Sequence, residues 1–157
     1  MSAISGPTCT TVTETQGVIE KAPDYSKAYL YLSGELGEKG RLDEAMSAFR
    51  KGVELAGGGS SPWRTIEAWI DARAGRREKA LRAVNELQKS AQKTFLDYYL
   101  LAQIYGVLGD RDTAFQCLEK AYQEHTYWMV YLRADPHMDS LRSDPRFDEF
   151  VKRMKLS

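Results

Sequence analysis

The chain has 157 residues, in which 22 Lys and Arg are balanced by 22 Asp and Glu, and 43% of the residues are hydrophobic. These values are ordinary for one globular domain or a short array of repeats. A formal charge of zero excludes the long-range field on which binding to nucleic acid or an anionic membrane usually depends. With two cysteines, Cys9 and Cys117, and no Cys or His pair at metal-ligand spacing, we expect no disulfide framework, metal site or cofactor.

Residues 1–23 form the first predicted segment. Its apolar Val12, Val18 and Ile19 fit one helix, and Pro23 ends it. Asp24 then stands where an N-cap of the next helix is expected. The first residues do not match a signal peptide, and no later segment approaches the ~20 apolar residues of a membrane span. We therefore expect a cytoplasmic location by default.

Three glycine turns divide the residues that follow. Gly40, Gly75 and Gly109 each precede an alanine by five residues, and these alanines, Ala45, Ala80 and Ala114, are 35 and 34 residues apart. Apolar residues at four-residue spacing, such as Leu32 and Leu36, predict amphipathic helices. The pattern predicts an all-α chain of helical hairpins at 24–59, 60–92 and 93–126, without strands.

Residues 127–157 leave this period. Asp135-Pro136 and Asp144-Pro145 each place a capping side chain before a proline, which predicts two short helices. The last helix has one apolar face and is expected to shield the end of the array, with the run 128–132 packed beneath it.

Catalytic candidates are weak. His125 and His137 are the only histidines, neither has a nucleophile placed by a recognisable motif, and the acidic residues form no acid/base pair, so we predict no enzyme and no catalytic residue. The basic run 73–82 could contact nucleic acid or an acidic peptide. A Glu78–Arg82 pair at i,i+4 and the polar composition of turns favour a solvated surface, so nucleic-acid binding is not expected.

The repeats resemble a known family. The segments AYLYLSGELGEKGRLDEAMSAF and DYYLLAQIYGVLGDRDTAFQCLEKAY are similar to tetratricopeptide (TPR) repeats, whereas the middle unit has Arg64, Glu67 and Asp71 at places that are apolar in the family. The tail DPHMDSLRSDPRF is similar to the C-terminal end of bacterial TPR regions attached to winged-helix regulators of the CadC type, serine/threonine kinases or adenylate-cyclase-like proteins.

The resemblance implies a right-handed superhelix whose groove binds a protein partner. Its groove places fall on Lys27, Leu30, Tyr31, Glu38, Ile66, Trp69, Arg73, Tyr99, Gln103 and Val107. Tyr31, Trp69 and Tyr99 are candidate anchors for a partner helix or peptide, and the alternative is that these rings pack inside the array. A carboxylate clamp is not expected, because apolar or small residues stand where its polar groups are needed.

The expected function is a non-enzymatic protein-interaction scaffold, acting as a regulatory or sensory segment of a larger bacterial protein. By the family's pattern, residues 1–23 would end in the second helix of a repeat whose first helix is missing, so the chain is hypothesised to be a C-terminal piece. The alternative is a stand-alone adaptor that forms homo-oligomers through its N-terminal edge. No membrane insertion is expected, and a periplasmic location is the alternative for a segment of a membrane-anchored regulator.

Overall fold

The chain is built from helices. The computed structural model describes residues 11–58, 61–90 and 97–155. The α-helices are α1 (Val12–Lys21), α2 (Ser26–Glu38), α3 (Leu42–Leu55), α4 (Ser61–Arg73), α5 (Arg77–Ser90), α6 (Tyr98–Val107), α7 (Arg111–Gln123) and α8 (Pro145–Arg153), with 3₁₀-helices at Tyr127–Tyr131 and Pro136–Met138. Within the described residues there is no strand, and the helices pack in adjacent pairs, so the all-α prediction is confirmed.

The chain divides into two compact units, which end and begin at Ser60 and Ser61. Unit 1 contains α1 to α3, and unit 2 contains α4 to α8. The predicted repeat boundaries at 59/60 and 92/93, and Cys9 in the first segment, lie outside the described residues.

In unit 1, α2 and α3 form a tight antiparallel hairpin, and α1 packs on α2. The close approach occurs at Gly52 of α3, where an added Cβ would lie 2.8 Å from Cγ of Leu30. Only glycine therefore allows Leu30 to fill this contact. The expected Asp24 cap is wrong: the helix begins after Tyr25, whose side chain makes no capping hydrogen bond.

Unit 2 contains two further hairpins, α4–α5 and α6–α7. Gly75 and Gly109 turn the chain with φ of +72° and +79°, a backbone conformation that glycine adopts without strain. The contacting faces carry small residues that are fully buried, namely Ala68, Ala80, Ala102 and Ala114. Helices can approach closely where side chains are this small.

The middle hairpin forms despite its polar residues. Asp71, which stands where an apolar residue was expected, is buried, and its Oδ1 lies 3.0 Å from Nη1 of Arg76 in the following turn. A buried carboxylate is tolerated when such a partner compensates it. The ion pair accounts for the burial of Asp71 in α4.

The C-terminal helix α8 packs on α7. Asp144 caps it as predicted, and the ring centroids of Phe115 and Phe150 are 6.0 Å apart. Arg146 covers the Phe115 ring at 4.3 Å and contacts Asp144 at 2.8 Å. The hydrogen bonds from Arg146 lower the pKa of Asp144 to about 2. This network attaches the C-terminal helix to the last hairpin.

The run 128–132 packs only in part, contrary to the sequence-based expectation. Met129 and Leu132 are buried, whereas Trp128 and Val130 are exposed. In a 3₁₀-helix the side chains repeat every three residues, so positions 129 and 132 share the buried side.

Candidate functional site

The predicted binding residues fall on both units. Four of them lie on α2 in unit 1, and the other six lie on α4 and α6 in unit 2. The two groups are in different environments: three of the four on α2 are exposed to solvent, whereas three of the six in unit 2 are buried.

An exposed strip runs along α2. Lys27, Tyr31 and Glu38 are exposed, and the side chain of Tyr31 is 62% accessible. Gly34 lies on the same side one turn after Tyr31, and a Cβ added there would meet no atom within 4 Å. We call these four residues the α2 open face.

Leu30 does not belong to this face. It is 3% exposed and lies against Gly52 inside the hairpin. The assignment of Leu30 to a partner-binding surface is therefore wrong, because its side chain already fills the space between α2 and α3.

In unit 2, Tyr99 and Gln103 are bound by the chain's own C-terminal segment. The Tyr99 hydroxyl donates to Oδ2 of Asp135 at 2.7 Å, and the Gln103 amide donates to the same oxygen at 2.9 Å. Tyr99 is 1% exposed and Gln103 is 8% exposed. Both side chains are thus enclosed and unavailable to a partner in this structure.

Trp69 is covered by the same segment. Its ring centroid is 4.5 Å from that of His137, and the Arg73 guanidinium carbon lies 5.3 Å from it. Trp69 is 4% exposed, and its Nε1 is buried without a hydrogen-bond partner among the described residues. Arg73 itself is exposed. Trp69 is therefore a core residue of unit 2.

The remaining two candidates, Ile66 and Val107, are half-buried. Next to Val107, at Gly106, the C-terminal segment packs tightly on α6: an added Cβ would lie 2.6 Å from Oγ of Ser140 and 3.1 Å from Cγ of Leu141. The contact between α6 and the C-terminal segment thus extends from Tyr99 to Gly106.

Asp135 organises this contact electrostatically. Burial alone would raise the pKa of Asp135, but hydrogen bonds from His137 and Tyr99 and the charge of His137 lower it below its usual range. Burial raises the pKa of Tyr99, and the neighbouring Asp135 carboxylate raises it further. The carboxylate is therefore the charged member of the group, and the Tyr99 hydroxyl stays a donor.

Sequence reasoning missed Asp135 and His137 as occupants of the face formed by α4 and α6. Asp135 was recognised only as a helix cap, a role it also has, since its side chain accepts from the His137 amide. The contacts to Tyr99 and Gln103 join residues 36 and 32 positions apart. Local sequence patterns do not predict hydrogen bonds between residues this far apart, so these contacts became visible only in the folded structure.

Residues 11–58, 61–90 and 97–155 hold no group of three His, Cys, Asp or Glu side chains that could bind a metal. Over the same ranges, no helix combines the length and the apolarity that crossing a bilayer requires.

These observations define an array of antiparallel helical hairpins, and comparison with protein families specifies the class. The tetratricopeptide-repeat family model matches residues 25–57 and 98–123, which are the α2–α3 and α6–α7 hairpins. The chain therefore carries TPR repeats in these two stretches, and the α4–α5 hairpin falls between them in the sequence. No curated protein and no solved structure gave a significant match.

Proposed function

We propose that this chain is a non-enzymatic scaffold that binds a partner helix or peptide on the α2 open face, as a regulatory or sensory segment of a larger bacterial protein. TPR repeats are protein-interaction modules, which supports a protein partner. The observation that carries the choice of surface is the 62% exposure of Tyr31. The likeness of residues 135–147 to the ends of bacterial TPR regions supports the regulatory role.

An exposed tyrosine ring beside a glycine suits a protein contact. Tyrosine combines a large apolar ring with a polar tip and is enriched among residues that dominate binding energy. Gly34 lies inside a helix, where glycine costs roughly 0.5–1 kcal/mol relative to alanine, and internal packing does not explain it. A missing side chain at this place allows a partner backbone to approach the helix closely.

Open space at a glycine does not by itself mark a binding surface. Gly17 of α1 is equally open, but the residues three and four positions away, Thr13, Glu14, Glu20 and Lys21, are all polar. The α2 open face differs because Tyr31 lies beside the glycine. Gly17 therefore serves as a matched control for Gly34.

Capture experiments with four forms of the full chain test the proposal. Tyr31→Ala is expected to weaken binding of the captured partner by about 2 kcal/mol, or roughly 30-fold, as a central interface residue does. Gly34→Gln fills the open space and is expected to abolish binding, whereas Gly17→Gln leaves it unchanged. All forms should keep the wild-type helical signal in circular dichroism.

The proposal fails if the same partner is captured equally by wild type, Tyr31→Ala and Gly34→Gln. An equal loss of partner binding in Gly34→Gln and Gly17→Gln would also count against the proposal, because the effect would then not be specific to α2.

The alternative of self-association through the N-terminal edge is not favoured by α1. Of the described residues on this helix, Val18 at 41% is the one large hydrophobic side chain that is exposed, and its surroundings are polar. We expect light scattering to report a monomer over a wide concentration range. A cytoplasmic location remains part of the proposal, with the periplasm as the alternative.

A further inference from the structure

A second surface, in unit 2, has a marked charge. The turn between α4 and α5 forms an open, shallow cleft lined by Gly75, Arg76, Arg77, Glu78, Lys79 and Arg82. Four of these side chains are basic and one is acidic. None of the residues lies on the α2 open face, so the cleft is independent of the proposed function.

Part of the positive charge is uncompensated. Arg76 is paired with Asp71, as described above, but Arg77 donates from Nη1 to a neutral group, the backbone carbonyl oxygen of Leu108, at 2.6 Å. Lys79 and Arg82 make no ion pair within the described residues, and the expected Glu78–Arg82 pair is not formed there. Arg77, Lys79 and Arg82 thus form no ion pair among the described residues, and Glu78 is the one carboxylate that lines the cleft with them.

The cleft is also held in shape. The hydrogen bond from Arg77 to Leu108 links the start of α5 to the end of α6, so this guanidinium is positioned before any ligand arrives. Gly75 adds no side chain, and a Cβ there would meet no atom within 4 Å. Preorganised charges bind with a smaller loss of side-chain entropy than mobile ones.

We propose that this cleft binds an acidic segment of a partner protein, with Asp or Glu side chains against Lys79, Arg77 and Arg82. Charge complementarity identifies the ligand as anionic. A protein segment is favoured over nucleic acid because Arg77 and Arg82 are only about 7.5 Å apart along the axis of α5. Residues 75–82 include no aromatic side chain on which bases could stack, and the chain has no net charge.

Fluorescence anisotropy with the full chain and a labelled hexaglutamate peptide tests the proposal. Arg82→Glu is compared with Arg50→Glu, since both arginines are exposed inside 14-residue helices and both changes alter the net charge equally. Coulomb energies at about 7 Å in water predict a tenfold loss of peptide affinity for Arg82→Glu. Arg50→Glu should change affinity less than about twofold, because Arg50 does not line the cleft.

Three results would overturn the proposal. These are absence of hexaglutamate binding at low salt, equal effects of Arg82→Glu and Arg50→Glu, and tighter binding of a six-nucleotide oligothymidine than of hexaglutamate. Arg82→Gln provides a milder second variant, expected to lose about threefold. Tyr31 does not line the cleft, so the Tyr31→Ala form should bind hexaglutamate as the wild type does. This control separates failure of the cleft proposal from failure of the α2 proposal.

Discussion

Asp135 is the group whose removal tests the packing of the C-terminal segment most directly. Its Oδ2 accepts hydrogen bonds from Tyr99 and Gln103, both buried, and its Oδ1 accepts from the His137 amide at 2.9 Å. Asp135→Ala leaves two buried donors without an acceptor, at about 1–3 kcal/mol each, and removes a helix cap worth about 1 kcal/mol. We expect the free energy of unfolding to fall by about 3–7 kcal/mol, a large part of an ordinary domain's stability.

Urea denaturation followed by near-ultraviolet circular dichroism measures this effect. Asp139→Ala is the matched control: Asp139 is paired with Arg142, but its side chain is 67% exposed, so its loss should cost less than about 1 kcal/mol. Tyr99→Phe removes one donor, and combined with Asp135→Ala it should cost less than the sum of the two single changes.

The reasoning is refuted if Asp135→Ala costs under about 1 kcal/mol, or if its effect and that of Tyr99→Phe are strictly additive.

The pH dependence of the stability gives a further check on the role of Asp135. Because the pKa of Asp135 is lowered on folding, its contribution is complete above its unfolded value near 4 and is lost as the pH falls through the folded pKa. The stability difference between wild type and Asp135→Asn should therefore shrink in acid.

Three further predictions concern other residues. Trp69→Ala should lower the free energy of unfolding by about 3–5 kcal/mol in urea titrations, because the indole ring is buried in the core. A change under about 1 kcal/mol would make Trp69 a candidate for partner binding again. Gly106→Ala should destabilise the protein by about 1–3 kcal/mol through contact with Ser140, whereas Gly17→Ala should stabilise it by about 0.5–1 kcal/mol. A higher melting temperature for Gly106→Ala than for Gly17→Ala would contradict the packing at Gly106. Burial raises the pKa of Glu35, so wild-type stability should fall as the pH rises through that pKa, and Glu35→Gln should remove this part of the pH profile.

The hairpins and their turns could be predicted from the sequence because the information is local. Glycine in each turn adopts a positive φ, at +74° for Gly40 and +72° for Gly75, and the residues around it repeat at a fixed spacing. The caps at Asp135 and Asp144 followed equally from neighbouring prolines. Asp24 is not the cap because α2 begins at Ser26, so that the N-cap position falls on Tyr25.

The burial of the candidate binding residues was only partly predictable. A groove position inferred from repeat spacing states on which side of a helix a residue lies, and the exposure of Tyr31 agrees with it. It does not state what covers that side. Trp69, Tyr99 and Gln103 are covered by residues 135–141, which follow the last repeat and have no place in its period.

The sequence by itself determined an all-α array of hairpins with TPR spacing, since turn chemistry and helical periodicity act over a few residues. Only the tertiary structure decided which surfaces remain open. Trp69, Tyr99 and Gln103 are buried against Asp135 and His137, whereas Tyr31 stays exposed. The buried Asp71 is paired with Arg76. The net charge of zero does not reveal the basic run 73–82, but the order of the residues does. Only the structure shows that Arg76 in this run is paired with Asp71, because that pairing depends on folding.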